Sequence, residues 1–495
     1  MPTHDDANQL YKQAVEAAGR GDHPQATTLF KQALTLYQGI PNTEEQQATC
    51  LHNLAITIRA LGKPAQAEPY YRQALTLYQT LPNTQREQAN CLGNLATTLF
   101  LLDKLAQAEP YYRHALTLYQ GIPNTEEKQA TCLLNLAATL YNLGRGVETE
   151  PLYRQAIYLC EGTSGTEQIH ASCLQHLASV VASKGEGHLR EALELYDHAR
   201  ALYEKVADSD ADQAHCLTQQ ADITTHLGHL PDAEALYHQA LALYEHTNTP
   251  IEHATCLQHL ATCLAHTPNR TTDTLKTLDN ALDILAHTNT SQTAPQRLDI
   301  LLTLTHTHLI NGDHFLAQVH AHAALDLSHH PTISHADAHR AHFTYAAVLH
   351  AQAHATTNPE HAKNLLTQAL NHALPAALFD DEYRYQLISP TKRRAWITNR
   401  AQPTMNLALT IAARLGEAAL VAELVAKWRM VGSLAATPAA RNSDDPLLTL
   451  VPNSTPEPDE TLTRTPGPNL VLPHPRATPL HQHPTITNRP RAHYR

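Results

Sequence analysis

Apolar residues recur along the chain at the spacing of amphipathic helices. In one representative stretch the apolar positions are Leu51, Leu54, Ala55 and Ile58 and then, beyond Gly62, Ala67, Tyr71, Ala74 and Leu75. Residues three or four positions apart share one face of an α-helix. The pattern therefore predicts two helices in this stretch, and it predicts that the first helix ends at Gly62 in the left-handed conformation that glycine adopts readily.

The same two-helix pattern returns at a nearly constant interval. The string QALTLYQ begins at Gln32 and again at Gln73, and a near copy begins at His114, so that each step is 41 residues. The aligned alanines are Ala33, Ala74, Ala115, Ala156, Ala199, Ala240, Ala281 and Ala324. Self-similarity at a period of about 20 to 50 residues is typical of a solenoid, whose units bury their apolar faces by stacking on their neighbours. The sequence predicts about eight stacked helix pairs within residues 1–330.

A Pro-Asn-Thr sequence separates successive units, first at residues 41–43 and then one and two periods later. Threonine is a common N-cap residue. Thr43 with Gln46, and Thr84 with Glu87, have the spacing of a capping box. We therefore expect these threonine hydroxyls to cap the first helix of the unit that follows.

These motifs resemble a known family. The signature of the tetratricopeptide repeat, whose basic unit has about 34 residues, is similar to the series Leu54, Ala55, Gly62, Ala67, Tyr71 and Ala74. The longer period and the phrase AEPYYRQAL are most similar to the extended repeats of kinesin light chains and related bacterial proteins. The resemblance implies an all-α, right-handed α-solenoid of stacked antiparallel helix pairs, with the first helix of each pair on the concave face. We expect degenerate helical pairs to follow at residues 331–435.

The eight cysteines raise the question of disulfides or a metal site. Six of them occupy one repeat position: Cys50, Cys91, Cys132, Cys173, Cys216 and Cys256. Adjacent members of this column should lie about one helix diameter (~10 Å) apart, beyond the ~7 Å between Cα atoms that a disulfide tolerates. We therefore predict buried, unpaired thiols that pack as small hydrophobic groups.

Another repeat position supplies candidate binding residues. On successive first helices this position holds Asn53, Asn94, Asn135, His176, Gln219 and His259, and it is bordered in the first three units by Thr49, Asn90 and Thr131. Asparagine is a poor interior helix former, so its recurrence calls for a reason beyond helix propensity. A carboxamide both donates and accepts hydrogen bonds, so a column of them is suited to holding the backbone of an extended peptide, and the resemblance implies the same role. Alternatively, each amide bonds to the adjacent repeat and fixes the stacking. The sequence leaves both roles open.

The charge balance narrows the classes of partner. The chain has 35 basic and 47 acidic residues, which gives a formal net charge of −12 with histidine neutral. Nucleic acid and anionic membranes are therefore disfavoured. The acidic first ten residues lack an apolar core, and no apolar run approaches the ~20 residues that span a bilayer, so we expect a cytoplasmic protein. We expect a protein or peptide partner, and the oligomeric state stays open.

No pattern in the sequence predicts an enzyme or a cofactor. The chain lacks GxSxG, GxxxxGK[ST] and a dinucleotide-binding glycine pattern, so we expect a non-enzymatic protein without a cofactor. Histidine is the compositional exception, with 35 residues. His335, His339 and His342 have the spacing of one helix face, which makes a zinc site conceivable, but so high a histidine content creates such spacings by coincidence. We therefore predict no metal site.

The last part of the chain differs from the repeats. Residues 375–435 resemble the segment that joins repeats to the peptidase in actinobacterial proteins that pair tetratricopeptide repeats with a caspase-like CHAT domain. Residues 436–495 are proline-rich, which predicts a disordered tail. The cysteine of a caspase-like dyad has no counterpart there, because every cysteine lies at or before Cys263. The leading hypothesis is a binding scaffold. The alternative is the regulatory or sensor arm of a CHAT-type peptidase system whose catalytic domain is absent from this chain.

Overall fold

The computed structural model describes residues 3–288, 290–385, 387 and 390–432. Within these residues all regular secondary structure is helical and no strand occurs. The first ten α-helices are α1 His4–Gly19, α2 His23–Gln38, α3 Glu44–Ala60, α4 Pro64–Thr80, α5 Gln85–Leu101, α6 Leu105–Gln120, α7 Glu126–Asn142, α8 Thr149–Cys160, α9 Glu167–Ala182 and α10 Leu189–Tyr203. The following helices are α11 Asp210–His226, α12 Leu230–Tyr244, α13 Pro250–Ala265, α14 Thr271–Ala286, α15 Thr290–Ile310, α16 His314–Leu327, α17 His335–Ala355, α18 Pro359–Tyr383, α19 Pro390–Trp396, α20 Gln402–Leu415 and α21 Ala418–Gly432.

The first compact unit extends to Cys216 and is a stack of helix pairs. Each odd-numbered helix from α1 to α9 packs against the even-numbered helix that follows it. Three residues connect α3 to α4, so the two packed helices run antiparallel. Neighbouring odd-numbered helices, which we call the first helices, also touch: α3 contacts α5, α5 contacts α7, and α7 contacts α9. The predicted all-α stack of antiparallel helix pairs is confirmed in this unit.

The second compact unit begins at Leu217 and is also built of packed helix pairs. Its helix pairs are α13 with α14, α15 with α16, and α17 with α18. The last of these helices, α18, has 25 residues and packs against α20 as well as α17. A π-helical turn at Ile397–Ala401 joins α19 to α20. The predicted proline-rich tail at residues 436–495 lies outside the residues that the structure describes.

Small residues set the closeness of the helices. The alanine that follows the Asn-Leu dipeptide, or its equivalent, is fully buried in six successive units, at positions Ala55, Ala96, Ala137, Ala178, Ala221 and Ala261. Large side chains alternate with them, because the second helices bury tyrosines at Tyr71, Tyr112, Tyr153, Tyr196 and Tyr237. Alternating small and large groups allow neighbouring helices to interdigitate at the density of a protein interior.

The turns between units are built differently from the sequence prediction. Asn42 adopts the left-handed conformation, with a φ of 58°, which asparagine tolerates better than other side chains. Thr43 makes no side-chain cap on α3, so the predicted capping box is wrong. Its hydroxyl instead donates backwards to the carbonyl of Tyr37 at 2.6 Å, and the Gln47 amide donates to the Thr43 hydroxyl at 3.0 Å. The threonine therefore ties the end of the preceding helix to the turn.

Ion pairs connect successive second helices, a feature that sequence reasoning missed. Glu68 pairs with Arg72 of its own helix at 2.9 Å and with Lys104 of the next unit at 2.8 Å. One period later, Glu109 pairs with Arg145 of the next unit at 2.7 Å. Each exposed pair contributes little free energy by itself. Their recurrence nevertheless shows that the glutamate of the AEP phrase pairs with a cation at the start of the following second helix.

Candidate functional site

The predicted binding residues of the first compact unit lie on successive first helices. We call Asn53, Asn94 and Asn135 the amide column; they lie at the middle of α3, α5 and α7, and His176 occupies the same position on α9. Asn53 and His176 are half-buried, whereas Asn94 is 9% exposed and Asn135 is 3% exposed. The exposed fraction of the side chain therefore falls from Asn53 to Asn135.

Two members of the amide column bond to the preceding first helix. The Asn53 side-chain nitrogen donates to the hydroxyl of Tyr11 at 2.7 Å. The Asn94 side-chain nitrogen lies 3.0 Å from Nε2 of His52, which therefore accepts its hydrogen bond. Arg59 donates to the side-chain oxygen of Asn94 at 3.2 Å and to its backbone carbonyl at 3.3 Å. These contacts link α1 to α3 and α3 to α5.

Asn135 differs from the other two amides. Its side-chain oxygen is buried and has no hydrogen-bond partner among the residues that the structure describes. A buried acceptor without a partner loses the hydrogen bonds that water would provide, at a cost of roughly 1–3 kcal/mol. The third position of the column therefore holds an acceptor with unused capacity.

The bordering residues are positioned by tyrosines from the paired second helices. We call Thr49, Asn90 and Thr131 the border residues, and all three are half-buried. The Tyr78 hydroxyl donates to the Thr49 hydroxyl at 3.2 Å, and the Tyr119 hydroxyl donates to the Asn90 side-chain oxygen at 2.8 Å. In the third repeat a cysteine replaces the matching tyrosine. There the Thr131 hydroxyl donates only to a carbonyl of its own helix, at 2.8 Å. Thr131 is thus held less firmly than its equivalents.

A further row of residues faces the other buried tyrosines. It lies three positions after the amide column, and its member in the second repeat, Thr97, shares a hydrogen bond of 2.9 Å with the Tyr112 hydroxyl. Ser179 makes the same bond to Tyr196 at 2.7 Å. At the equivalent place on α3 the residue is Ile56, and the Tyr71 hydroxyl is buried with no hydrogen-bond partner among the described residues. In the sequence, the members of this row are found three positions after the asparagine of the Asn-Leu-Ala phrase or its equivalent.

Arg59 is the functional candidate that sequence reasoning missed. It lies in the last turn of α3 and is 5% exposed, although arginine is rarely buried. Its guanidinium lies 5.8 Å from the centre of the Tyr71 ring. Burial, together with this guanidinium, lowers the pKa of His52 to about 4, so His52 is neutral at pH 7. Arg59 therefore places a buried cation beside the amide column.

The remaining predicted positions have different surroundings. Burial lowers the pKa of His176 to about 3, so this side chain is uncharged at neutral pH. Gln219 and His259 belong to the second compact unit. Gln219 is buried and His259 is half-buried. Nδ1 of His259 lies 2.8 Å from a carboxylate oxygen of Asp222, which also accepts a 2.5 Å hydrogen bond from Tyr237. Burial lowers the pKa of His259, but Asp222 outweighs this effect, so the pKa is raised above its ordinary value.

The histidines at helical spacing do not assemble a metal site. Within the described residues, no group of three or more histidine, cysteine, aspartate or glutamate side chains is arranged to hold a metal ion. His339 stacks on Phe379, with ring centres 4.2 Å apart. His342 points Nδ1 at Nδ1 of His372, 2.8 Å away. These imidazoles pack between α17 and α18.

All eight cysteines are free and buried, which confirms the predicted unpaired thiols. Sγ of Cys91 donates to the carbonyl of Tyr71 at 3.3 Å, and Cys50 and Cys132 make equivalent bonds in their own units. Burial raises the pKa of each of these three thiols to about 12. They are therefore protonated packing groups and poor nucleophiles.

No helix among the described residues combines the length and the apolar character needed to cross a bilayer.

Comparison with known proteins identifies the repeats. One family model described as Tetratricopeptide repeat matches residues 14–80 and 46–121, and a second with the same description matches residues 129–170. No curated protein sequence matches the chain.

Solved structures resemble parts of the chain at low sequence identity. BtubC (BKLC) from P. vanneervenii is 20% identical over 48% of this chain and 91% of that chain, with a TM-score of 0.39. A putative kinesin light chain from Podosopora anserina with nearly identical TPR-like repeats is 19% identical over 42% of this chain and 100% of that chain, with a TM-score of 0.36. The apo form of the quorum sensor NprR from B. thuringiensis is 12% identical over 65% of this chain and 87% of that chain, with a TM-score of 0.52. At 12% identity the likeness to NprR concerns the fold alone.

Proposed function

The chain is a tetratricopeptide-repeat protein over residues 14–121 and 129–170, and from this premise we propose that it is a non-enzymatic interaction scaffold that holds a peptide or a protein partner. In this proposal an extended segment of the ligand lies along the first helices of the first compact unit. These helices line the face that the repeat architecture makes concave. The amide column and the border residues bond to the ligand backbone. Bonds to backbone groups hold an extended segment without reading its side chains.

One observation carries the proposal. Polar, uncharged side chains recur at the same place on neighbouring first helices and are half-buried, at Asn53, Thr49, Asn90 and Thr131. A half-buried polar group is accessible to a ligand and is also restrained by its neighbours. Restrained side chains lose less conformational entropy when a ligand binds, so each bond to the ligand contributes more of its free energy to affinity.

The two roles of the amide column are compatible in this proposal. The bonds of Asn53 to Tyr11 and of Asn94 to His52 support the stacking role for these two residues. Each carboxamide has two donors and an oxygen with two lone pairs, so the one bond of Asn53 and the two side-chain bonds of Asn94 leave capacity for a ligand. The unpartnered oxygen of Asn135 is the acceptor that gains the most free energy from a hydrogen bond to the ligand. Because that oxygen is shielded from solvent, a ligand N–H group reaches it through a rotation of the Asn135 side chain.

The proposal is tested with a matched pair of triple variants. One variant carries Asn53→Ala, Asn94→Ala and Asn135→Ala. The control replaces three exposed threonines with the same period on the second helices, Thr35, Thr76 and Thr117, each of which donates only to a carbonyl of its own helix. Both variants and the wild type are screened against a library of displayed 12-residue peptides, and helicity is checked by circular dichroism.

We expect the wild type to select peptides that the control also binds and that the amide variant does not. Three hydrogen bonds of about 0.5–1.5 kcal/mol each correspond to a loss of roughly 10-fold to 1,000-fold in affinity. Peptides bound equally well by the folded amide variant would leave the column with a stacking role only. A wild type that selects no peptide above background would refute peptide binding by this unit.

A further inference from the structure

Three histidine side chains meet at the contact between α17 and α18. His342 of α17 directs Nδ1 at Nδ1 of His372 of α18, and the two nitrogens lie 2.8 Å apart. The centres of these two rings lie 5.1 Å apart, and the ring of His339 lies 6.1 Å from that of His342. We call His339, His342 and His372 the histidine cluster. All three side chains are half-buried.

The bond between His342 and His372 requires a particular protonation state. An imidazole nitrogen accepts a hydrogen bond only when it carries no proton, so one Nδ1 atom donates and the other accepts. One added proton leaves this bond in place, because it can enter at Nε2 of the donating ring. A second added proton makes both rings imidazolium ions, and two N–H groups then point at each other. The bond therefore breaks when both rings are charged.

The groups that act electrostatically on the histidine cluster are bases. His342 is influenced by the other two members and by His329, which follows α16. His339 is influenced by His335 of its own helix and by Arg400 of the π-helical turn. The remaining ring neighbours carry no charge at neutral pH: Phe379 stacks on His339, and Tyr345 packs edge-on against His372. A proton that enters the cluster therefore meets like charges.

The carboxylates of the packed helices are engaged elsewhere. Within the described residues no carboxylate forms an ion pair with a member of the cluster, and Glu360 lies exposed at the start of α18. The other carboxylates of α15 to α18 pair as follows: Asp299 and Asp337 with Arg340, Asp326 with His322, Asp380 with Arg400, Asp381 with Arg384, and Glu382 with Lys427. An imidazolium in the cluster would thus be a partly buried charge without a counter-charge, which is costly.

A histidine elsewhere in the same compact unit has the opposite surroundings. Nδ1 of His259 lies 2.8 Å from the Asp222 carboxylate, which raises the pKa of this imidazole and favours its charged form. Burial, with like-charged neighbours of which His372 is the first, lowers the pKa of His342 to about 4. Burial also lowers the pKa of His339 and of His372. The cluster is therefore built to be neutral when α17 and α18 are in contact.

We propose that the histidine cluster is an acid-sensitive contact, at which α17 packs on α18 while the imidazoles are neutral and separates from it when they are protonated. This inference concerns the second compact unit and does not depend on the scaffold function. A histidine in an open contact regains a pKa near 6.5 and takes up a proton more readily than in the closed one. Falling pH therefore favours opening, which exposes apolar side chains such as Leu349 of α17 and Leu365 of α18.

The chain contains its own reporters of this contact. It has two tryptophans, Trp396 and Trp428. The Trp396 ring lies 4.5 Å from that of Tyr383, and its indole nitrogen donates to the carbonyl of Asp380 on α18 at 2.9 Å. Trp428 packs against the apolar cluster that contains Leu349 and Leu365. Tryptophan fluorescence of the full chain therefore reports on the surroundings of α18.

The test is an acid titration of the full chain from pH 7.5 to pH 4. Tryptophan fluorescence is recorded together with hydrogen exchange of α17 and α18 peptides, corrected for the intrinsic pH dependence of exchange. The test variant carries His342→Asn and His372→Asn, because carboxamides do not titrate in this range and can still share a hydrogen bond. The control variant carries His246→Asn and His361→Asn, which replace two exposed histidines of the same compact unit. Circular dichroism at pH 7.5 checks that both variants are folded.

We expect the wild type to show a reversible fluorescence transition below about pH 6.5, where a free imidazole begins to bind protons. Protection of α17 and α18 amides should fall by about 10-fold per pH unit for each imidazole that is neutral only in the closed contact. In the test variant this slope should decrease by up to about two decades per pH unit, since two such imidazoles are gone. The control variant should titrate like the wild type.

Two results would overturn the proposal. One is a wild type whose amide protection in α17 and α18 stays constant across the titration, and this measurement needs no variant. The other is a transition that the test variant and the control variant both retain unchanged. If the double variant is not folded at pH 7.5, His372→Asn alone carries the comparison, with an expected decrease in slope of about one decade per pH unit.

Discussion

Two tyrosines at the same repeat position should respond in opposite ways to the same substitution. Tyr71 and Tyr112 are both fully buried on second helices, one repeat apart. The Tyr112 hydroxyl bonds to Thr97 at 2.9 Å, whereas Ile56 occupies the equivalent position for Tyr71, whose hydroxyl has no partner among the described residues. Replacement by phenylalanine removes only the hydroxyl group, so each variant reports on the free energy of that group alone.

The magnitudes follow from the hydrogen bonds. Tyr112→Phe loses one buried bond, and the Thr97 hydroxyl keeps its bond to the carbonyl of Gly93 at 3.0 Å. We therefore expect the free energy of unfolding to fall by about 0.5–1.5 kcal/mol. Tyr71→Phe loses no bond and removes a buried, unsatisfied hydroxyl whose burial costs roughly 1–3 kcal/mol. The free energy of unfolding should stay constant or rise by about 1 kcal/mol.

Urea unfolding followed by far-ultraviolet circular dichroism measures both effects, because a change in midpoint at constant slope reports a change in stability. A third variant, Ile56→Thr, places a hydroxyl opposite Tyr71 as Thr97 does opposite Tyr112. In that background Tyr71→Phe should become destabilising. Equal destabilisation by both phenylalanine variants, with no effect of Ile56→Thr, would refute the assigned hydrogen bonding of this row.

Two further predictions concern packing and pH. Ala96→Phe should lower the free energy of unfolding by about 1–3 kcal/mol, because Ala96 is fully buried and a phenylalanine there overpacks the interior; an unchanged midpoint in urea would contradict this reasoning. His259 has a raised pKa in the folded state, so its pairing with Asp222 contributes stability that is fully present below the pKa of the unfolded chain, near 6.5, and is lost as the pH rises through the folded value. Because both side chains are partly exposed, the effect is small, and Asp222→Asn should abolish it in urea titrations at several pH values.

The repeat pattern predicted most of the fold. Apolar spacing and the 41-residue period located the helix pairs, and Gly62 adopts the left-handed conformation that was expected at the end of a first helix, with a φ of 72°. The capping prediction was wrong for a physical reason. The Thr43 hydroxyl has two alternatives: it can cap α3, or it can donate to the carbonyl of Tyr37. It donates to the carbonyl, because the preceding helix ends beside the turn. The capping-box rule considers only Thr43 and the residue three positions after it, so it takes no account of that carbonyl.

The candidate site was predicted only as a set of positions. The sequence placed Asn53, Asn94 and Asn135 at one repeat position, but their exposures and partners differ. Asn94 meets Arg59, which lies 35 residues earlier in the chain, and this contact depends on the register between α3 and α5. No equivalent arginine recurs in the next unit, where Phe100 occupies the position, so periodicity gave no signal for it.

The sequence by itself determined the periodic features: the helix pairs, the small residues at close contacts, the buried thiols and the positions of the polar column. These features repeat, because every unit must bury the same face against an equivalent neighbour. Only the tertiary structure decided which polar groups find partners. Hydrogen bonds depend on differences of a few tenths of an ångström in the distances between side chains on different helices. Single departures from the repeat, such as Ile56 opposite Tyr71 or Arg59 beside Asn94, change those partners without changing the fold.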